Sequence, residues 1–153
     1  VDRGRLALTP VMSLKSKISM VKEKNAGWGV SYGREYITGG RTKIATVPAG
    51  YADGYTRNLA GRASVELAGG ERAKIIGRIC MDQCMIDVTN VNNISAGDEV
   101  TLFGSRGITA DDIARWADTI NYEVICLVSK RIPRVYKEGG RIKLVRNYLD
   151  ELS

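Results

Sequence analysis

Residues 62–88 read RASVELAGGERAKIIGRICMDQCMIDV, and this stretch decides the fold class. Two short runs of alternating apolar and polar residues flank the pair Gly69-Gly70, a pattern typical of a β-hairpin closed by a tight turn. Apolar residues then continue beyond Gly77, which predicts a long strand after the hairpin. The stretch therefore indicates antiparallel β structure.

Further strand-like runs extend this pattern over most of the chain, and Gly, Asn, Asp and Pro separate them at short intervals. The runs are VMSLKSKISMVKEK (11–24), RTKIATVPAGY (41–51), DEVTLFG (98–104) and the beginning of YEVICLVSKRIPRVY (122–136). This spacing predicts a mainly β fold, either a small β-barrel or a sandwich. We expect the tail over 139–153 to be a short, charged segment that is amphipathic at best.

One short helix is predicted near 109–120. Thr109 and Asp112 have the spacing of a capping box, and Ile108 and Ile113 have that of a hydrophobic staple. The apolar face predicted for this helix comprises Ile113, Trp116, Ala117 and Ile120. Because Trp116 falls on that face, we expect it in the core rather than at a binding surface.

Length and composition limit the classes of function. The 153 residues, 1–153, fit a single domain of ordinary globular composition. We expect neither a membrane span, since no apolar run approaches about 20 residues, nor a signal peptide. The first residue is valine rather than methionine, so we allow for a preceding segment. The odd count of three cysteines favours a reducing compartment over a disulfide framework.

The absence of histidine restricts the chemistry further. Without histidine or a CxxC pair we expect no metal site, and histidine-based nucleophilic catalysis is excluded within this chain. Acid–base work must then fall to Tyr, Lys, Asp, Glu or Cys. The net charge of +6 suits nucleic acid, a phosphate cofactor or a carboxylate substrate, but the basic residues are dispersed, which is typical of a solvated surface.

Four stretches place reactive side chains in glycine-rich or turn-forming surroundings. Each also has a simpler interpretation as packing or turn chemistry. In 77–87, one strand face would present Arg78, Cys80, Asp82 and Cys84, although cysteines in such positions are more often small buried residues. The stretches are GWGVSYGREY (27–36) with Tyr32, PAGYADGYTRN (48–58) with Tyr51, Tyr55 and Arg57, GRICMDQCMID (77–87), and TINYEV (119–124) with Tyr122.

Taken together and in this order, the motifs resemble the C-terminal domain of alanine racemases. The resemblance covers about residues 10–136 and also includes PVMSLKSKI, GDEVTLFG, ITADDIARWADTINYEV and SKRIPRVY. It implies a pyridoxal-phosphate-dependent homodimer, in which an N-terminal (β/α) barrel carries the cofactor lysine and binds most of the cofactor. No barrel fits into this chain, so we expect the isolated domain to be inactive.

The resemblance also implies roles for individual residues. Tyr32 corresponds to the catalytic tyrosine, which takes the α-proton from the L-enantiomer across the dimer interface. The backbone N–H of Met81 would bind the substrate carboxylate, and Tyr51 would lie at the inner entrance to the site. Tyr122 would bind the cofactor phosphate and favour alanine by crowding the substrate side chain. The corridor through which substrate arrives would be lined by Arg57, Arg78, Asp82 and Ile120.

Several alternatives stay open for the parent protein. It is either a cytoplasmic alanine racemase that supplies D-alanine for peptidoglycan, or a membrane-anchored serine/alanine racemase of the vancomycin-resistance type. A stand-alone basic β-barrel that binds a polyanion, and a dimerisation module without chemistry, are the competing classes. The resemblance predicts no nucleic-acid partner and no membrane contact by this domain.

Overall fold

The structure is a computed structural model that describes residues 9–104 and 107–150. The described residues contain eleven strands, two α-helices and three short 3₁₀-helices at Tyr32–Arg34, Tyr51–Asp53 and Arg57–Leu59. The strands are β1 (Leu14–Lys17), β2 (Met20–Lys24), β3 (Gly29–Val30), β4 (Tyr36–Ile37), β5 (Thr42–Val47), β6 (Ser64–Leu67), β7 (Arg72–Ile76), β8 (Cys84–Asp87), β9 (Glu99–Phe103), β10 (Arg134–Glu138) and β11 (Arg141–Arg146). The helices are α1 (Ala110–Ala117) and α2 (Asn121–Leu127). Within these ranges no helix is long and apolar enough to cross a membrane.

The main sheet has seven antiparallel strands in the order β1-β9-β6-β7-β8-β5-β2. Its two edge strands, β1 and β2, are consecutive in the chain and only Ile18 and Ser19 separate them. The Ile18 N–H donates to Asp98 O (2.9 Å) near β9, and the Ser19 N–H donates to Thr46 O (2.9 Å) in β5. The two edges therefore lie side by side, and the sheet curls into a half-barrel. The mainly β, barrel-like prediction is confirmed.

The core lies inside the curled sheet. Strands β6 and β8 alternate buried and half-buried positions, as expected where one face of a sheet is covered. The fully buried aliphatic side chains of the sheet include Val47, Val65, Ile75, Ile86, Val100 and Leu102. Cys80 and Cys84 are buried free thiols, which confirms their interpretation as packing residues, and Cys126 is exposed. Burial, and then the neighbouring Cys80, raise the pKa of the Cys84 thiol to about 12.

The hairpin around Gly69-Gly70 is confirmed, since β6 and β7 pair in antiparallel fashion on either side of it. The long strand predicted to follow is wrong. Strand β7 ends at Ile76, residues 77–83 form a loop, and β8 begins at Cys84. Gly77 adopts a left-handed φ of 69°, and a Cβ atom there would lie 2.8 Å from Val30 O. Only glycine suits this exit from the sheet.

That loop also separates the side chains predicted to share one strand face. Cys80 and Cys84 are buried, Arg78 is half-buried and Asp82 is exposed. A common face requires the extended period of two, which the loop does not have.

Helix α1 begins as predicted. The Asp112 N–H donates to Thr109 Oγ1 (3.2 Å), and Asp112 Oδ2 accepts from the Thr109 N–H (2.9 Å). Ile108 and Ile113 are buried, and the half-buried Trp116 packs against the core. Placing Ile120 on the same apolar face is wrong. The helix ends at Ala117, the next residue turns into the left-handed region, and Ile120 is 63% exposed.

The strand predicted at the beginning of 122–136 is also wrong. Residues Asn121–Leu127 form α2, which buries Val124. Asn121 Nδ2 donates to Asp111 Oδ1 of α1 (2.7 Å), so the two helices form one corner. Packing against α1 therefore outweighs the β propensity of the Val-Ile-Cys-Leu-Val run. Only Arg134–Glu138 of this region is a strand.

The tail forms a second hairpin instead of a merely amphipathic segment. Strands β10 and β11 pair around Gly139-Gly140, whose φ angles of 55° and 76° are both left-handed. Two such residues are what a tight two-residue hairpin turn requires. Every residue of β11 is exposed, so within the described chain this hairpin makes little contact with the core.

Candidate functional site

Tyr32 lies on a loop between β3 and β4 whose backbone is strained. Ser31 adopts φ 63° and ψ −174°, a region that side-chain-bearing residues rarely occupy. Gly33 and Arg34 also have positive φ, at 73° and 50°. The Tyr32 side chain is 72% exposed. The loop thus holds the phenol away from the body of the domain.

The loop over 77–83 anchors the Tyr32 loop. Ser31 Oγ donates to Arg78 O at 2.7 Å and lies 3.4 Å from Cys80 Sγ. A Cβ atom on Gly33 would lie 3.3 Å from Cζ of Arg78, so the Arg78 guanidinium approaches the backbone next to Tyr32. Such a Cβ atom would be in tight contact with the guanidinium, and the positive φ of Gly33 also favours glycine.

Two arginines and one carboxylate surround this contact. Arg78 Nη2 forms a hydrogen-bonded ion pair with Glu35 Oε1. This hydrogen bond holds the pKa of the Glu35 carboxyl below its ordinary value, and the positive charge of Arg57 contributes a smaller lowering. Arg57 and Arg78 therefore both act on Glu35, three residues after Tyr32.

The turn that carries Tyr51 packs against the loop that carries Met81. The Tyr51 N–H donates to Cys80 O (3.1 Å) and the Ala52 N–H donates to Met81 O (3.0 Å). A Cβ atom on Gly50 would lie 2.2 Å from Cys80 O, so only glycine permits this contact. Within residues 9–104 and 107–150, the Met81 N–H donates no hydrogen bond. The Met81 side chain is 54% exposed.

Two charged residues that sequence reasoning missed join these loops. Asp53 is buried, and Arg131 Nε donates to its Oδ1 at 2.7 Å. Arg131 Nη2 donates to Asp82 Oδ1, also at 2.7 Å. In the sequence, Asp53 indicated only a turn and Arg131 only one of many dispersed basic residues. A pairing 78 residues apart leaves no signal in local spacing.

Tyr122 and Ile120 lie at the helical corner. Tyr122 is 71% exposed in the first turn of α2. A Cβ atom on Gly54 would lie 2.2 Å from Leu127 O, so the end of α2 touches the turn after Tyr51. The corner therefore adjoins the Tyr51 turn, but among the described residues no hydrogen bond joins Tyr122 to Tyr32 or Met81.

Comparison with known protein families identifies the domain. The model of the family described as alanine racemase, C-terminal domain, matches residues 11–136. The curled sheet with its loops is thus the mainly β domain of a class of isomerases. The chain belongs to the alanine racemase family.

Individual relatives show how much of such a protein the chain represents. Alanine racemase 1 of Clostridium acetobutylicum is 49% identical over 97% of this chain, which spans 39% of that protein. The solved alanine racemase of Clostridium difficile 630 in complex with cycloserine has a TM-score of 0.92 at 47% identity, again with 97% and 39% coverage. The Bacillus anthracis alanine racemase with bound L-Ala-P has a TM-score of 0.89 at 38% identity, covering 96% of this chain and 38% of that one. The chain thus spans about two fifths of the length of these relatives.

Proposed function

We propose that residues 1–153 are the C-terminal domain of a longer, pyridoxal-phosphate-dependent racemase that interconverts L- and D-alanine. In this proposal Tyr32 exchanges the α-proton of the L-enantiomer. The observation that carries the proposal is the placement of Tyr32, whose side chain is 72% exposed on a strained loop. Strain of this kind clusters at functional sites, where the surrounding structure maintains it.

The residues of the chain fit the cofactor that the proposal requires. Pyridoxal phosphate, when bound, supplies an electron sink that makes the α-proton of an amino acid removable. The exposed Tyr122 phenol is free to donate to a phosphate oxygen, and the unpaired Met81 N–H is free to donate to a substrate carboxylate. Tyr51, half-exposed beside Met81, would border the substrate.

Tyr32 acts as the proton acceptor in this scheme. A general base must lie within hydrogen-bonding reach of the proton that it removes, and the exposed loop would carry the phenol oxygen to the substrate. Arg34 follows it on the same loop, and the Arg78 guanidinium lies against the neighbouring Gly33. The Tyr32 oxygen would hold the proton on one face of the substrate, and a lysine outside this chain would act on the other.

The site is completed in our proposal by a facing subunit. This domain would meet the N-terminal barrel of a second copy across a homodimer interface. Arg57, Arg78, Asp82 and Ile120 would line the access corridor, where the two guanidinium groups attract a carboxylate substrate. The reaction would supply D-alanine for peptidoglycan in the cytoplasm, and the isolated chain would be inactive without the barrel.

The test is racemisation of L-alanine and L-serine by the full-length protein that carries this domain, beside its Tyr32→Phe variant. The substitution removes one oxygen from an exposed side chain, so folding should be unchanged while alanine racemisation falls by roughly 10²–10⁴-fold. Tyr36→Phe is the matched control, since this half-buried tyrosine lies on β4 beside the loop. Equal activity of Tyr32→Phe and wild type would refute the assignment. A preference for serine would favour the serine/alanine racemase alternative.

A further inference from the structure

We propose that Arg131 is a positioning residue that fixes the Met81 loop against the Tyr51 turn and thereby sets how tightly the substrate carboxylate is held. The inference rests on the proposed function, because it assigns the carboxylate to the Met81 N–H. Arg131 itself would touch neither substrate nor cofactor.

The geometry of Arg131 is that of a link between two loops. Its Nε donates to Asp53 Oδ1 in the Tyr51 turn, and its Nη2 donates to Asp82 Oδ1 next to Met81, both at 2.7 Å. A guanidinium presents several donors in a rigid plane, so one side chain can serve two carboxylates in fixed directions. A lysine ammonium is a single flexible point charge and cannot reproduce both directions.

Asp53 is the fixed end of this link. It is only 5% exposed, and its Oδ2 also accepts from the Gly50 N–H at 2.8 Å. Its backbone oxygen accepts from the Ser129 N–H at 3.1 Å, two residues before Arg131. Asp53 therefore accepts two hydrogen bonds at its carboxylate and one at its backbone oxygen, which leaves this buried residue little freedom to move.

Asp82 is the adjustable end. Its side chain is 63% exposed, and among the described residues the hydrogen bond from Arg131 is the only one that its carboxylate accepts. The Met81 loop is otherwise joined to the turn by two backbone bonds, from the Tyr51 N–H to Cys80 O and from the Ala52 N–H to Met81 O. Arg131 provides the side-chain connection next to Met81, and without it the direction of the Met81 N–H becomes less well defined.

The experiment uses the full-length protein with Arg131→Lys, Arg131→Met and Asp82→Asn. We expect the KM for L-alanine and the Ki of propionate to rise about tenfold in Arg131→Met. This is the effect of losing one hydrogen bond to a charged group, here the bond from the Met81 N–H to the carboxylate. We expect kcat to change less than about threefold. Propionate has the carboxylate of alanine and no amino group, so it reports on carboxylate binding alone. Asp82→Asn, which weakens only the outer bond, should show a smaller rise of the same kind, and Arg131→Lys should not restore the wild-type values.

Hydrogen exchange provides a readout independent of activity. Amides of 80–83 should exchange roughly tenfold faster in Arg131→Met than in wild type, because the loop opens more often. Arg115→Lys is the matched control, since Arg115 forms an exposed ion pair with Asp112 on α1, and it should change none of these quantities.

The outcomes separate this proposal from the role of Tyr32. Faster exchange with unchanged KM and Ki would make Arg131 purely structural and overturn the positioning role. Unchanged exchange in Arg131→Met would overturn the link itself. If Tyr32→Phe is fully active while the Arg131 variants bind propionate more weakly, the assignment of Tyr32 as the base is refuted and the positioning role of Arg131 is supported.

Discussion

The curled sheet and the loops at its rim are held by different interactions. The rim loops are the loop between β3 and β4 that carries Tyr32, the loop over 77–83 and the Tyr51 turn. In the sheet, paired strands bury aliphatic side chains completely, as Ile75 and Ile86 do on the neighbouring strands β7 and β8. At the rim, half-buried side chains are held by hydrogen bonds, ion pairs and strained backbone, as around Ser31 and Arg131. The stability of the fold and the geometry of the site should therefore respond to different substitutions.

Strain at the rim depends on the sheet below it. The backbone of Ser31 lies in a region that costs on the order of 1–3 kcal/mol for a residue with a side chain. The bond from its hydroxyl to Arg78 O, and the close contact of Gly77 with Val30 and Ser31, keep it there. A well-packed sheet supplies the rigidity that such an arrangement needs.

The largest expected effect lies in the core, where Ile86→Ala should lower the free energy of unfolding by about 2–5 kcal/mol. Ile86 is fully buried between β5 and β7, so the substitution leaves a cavity among side chains that cannot collapse freely. Urea unfolding of the chain measures this. Ile86→Val is the control and should cost roughly 0.5–1.5 kcal/mol. A loss of racemisation in the folded protein without a loss of stability would contradict this view, in which the sheet stabilises the fold and the rim loops set the geometry of the site.

A smaller effect on stability, with a larger one on activity, is expected at Ser31. Ser31→Ala removes the hydrogen bond to Arg78 O and should cost about 1 kcal/mol of stability. Ser31→Gly also removes the bond but relieves the strain at positive φ, so it should be less destabilising than Ser31→Ala. Both should slow α-proton exchange in the full-length protein by about tenfold. A displaced Tyr32 would raise the activation free energy by about 1.4 kcal/mol, which is a factor of ten in rate. Wild-type exchange rates in Ser31→Gly would show that the hydrogen bond is dispensable.

The smallest expected effect concerns pH at the cap of α1. The hydrogen bond from the Thr109 backbone, then that from its hydroxyl and the contact with Arg115, lower the pKa of the Asp112 carboxyl. A carboxyl whose pKa is lowered by folding contributes stability above the unfolded value near ~4 and loses it as the pH falls through the lower folded value. Asp112→Asn should cost about 0.3–1 kcal/mol at pH 7 and flatten the acid side of the stability profile.

Thermal unfolding of Asp112→Asn between pH 2 and pH 7 checks the sign of this dependence, with racemisation by the full-length protein as the second readout. Activity at pH 7 should be unchanged, because the cap lies on α1 and not on a rim loop. An acid-side profile as steep as that of wild type would show that another carboxyl dominates.

Local patterns in the sequence predicted the elements that local interactions determine. The turn at Gly69-Gly70 and the capping box of Thr109 and Asp112 were found because each depends on residues close in the chain. The C-terminal hairpin has an equally local signal in the pair Gly139-Gly140, although the charged residues around it are typical of an amphipathic segment.

Tertiary contacts decided the elements that were mispredicted. Helix α2 contains a β-branched run that favours a strand, but it packs against α1. The long strand past Gly77 is interrupted where the chain must pass Val30 closely. The link between Asp53 and Arg131 spans 78 residues and could be found only in three dimensions. The roles proposed for Tyr32, Met81 and Tyr122 follow from the family resemblance, since each motif alone favours a packing or turn residue.

The central claim is that Tyr32 completes a site in another subunit, and mixing two inactive full-length variants tests it most directly. One variant is Tyr32→Phe, and the other lacks the cofactor lysine of the N-terminal barrel. In mixed dimers, one of the two sites combines an intact lysine from one subunit with an intact Tyr32 from the other. After random exchange of subunits at equal amounts, about a quarter of the wild-type racemase activity should return, because half the dimers are mixed and each has one intact site. If Tyr32 served a site within its own subunit, every site in the mixture would lack one group, and the mixture would stay inactive.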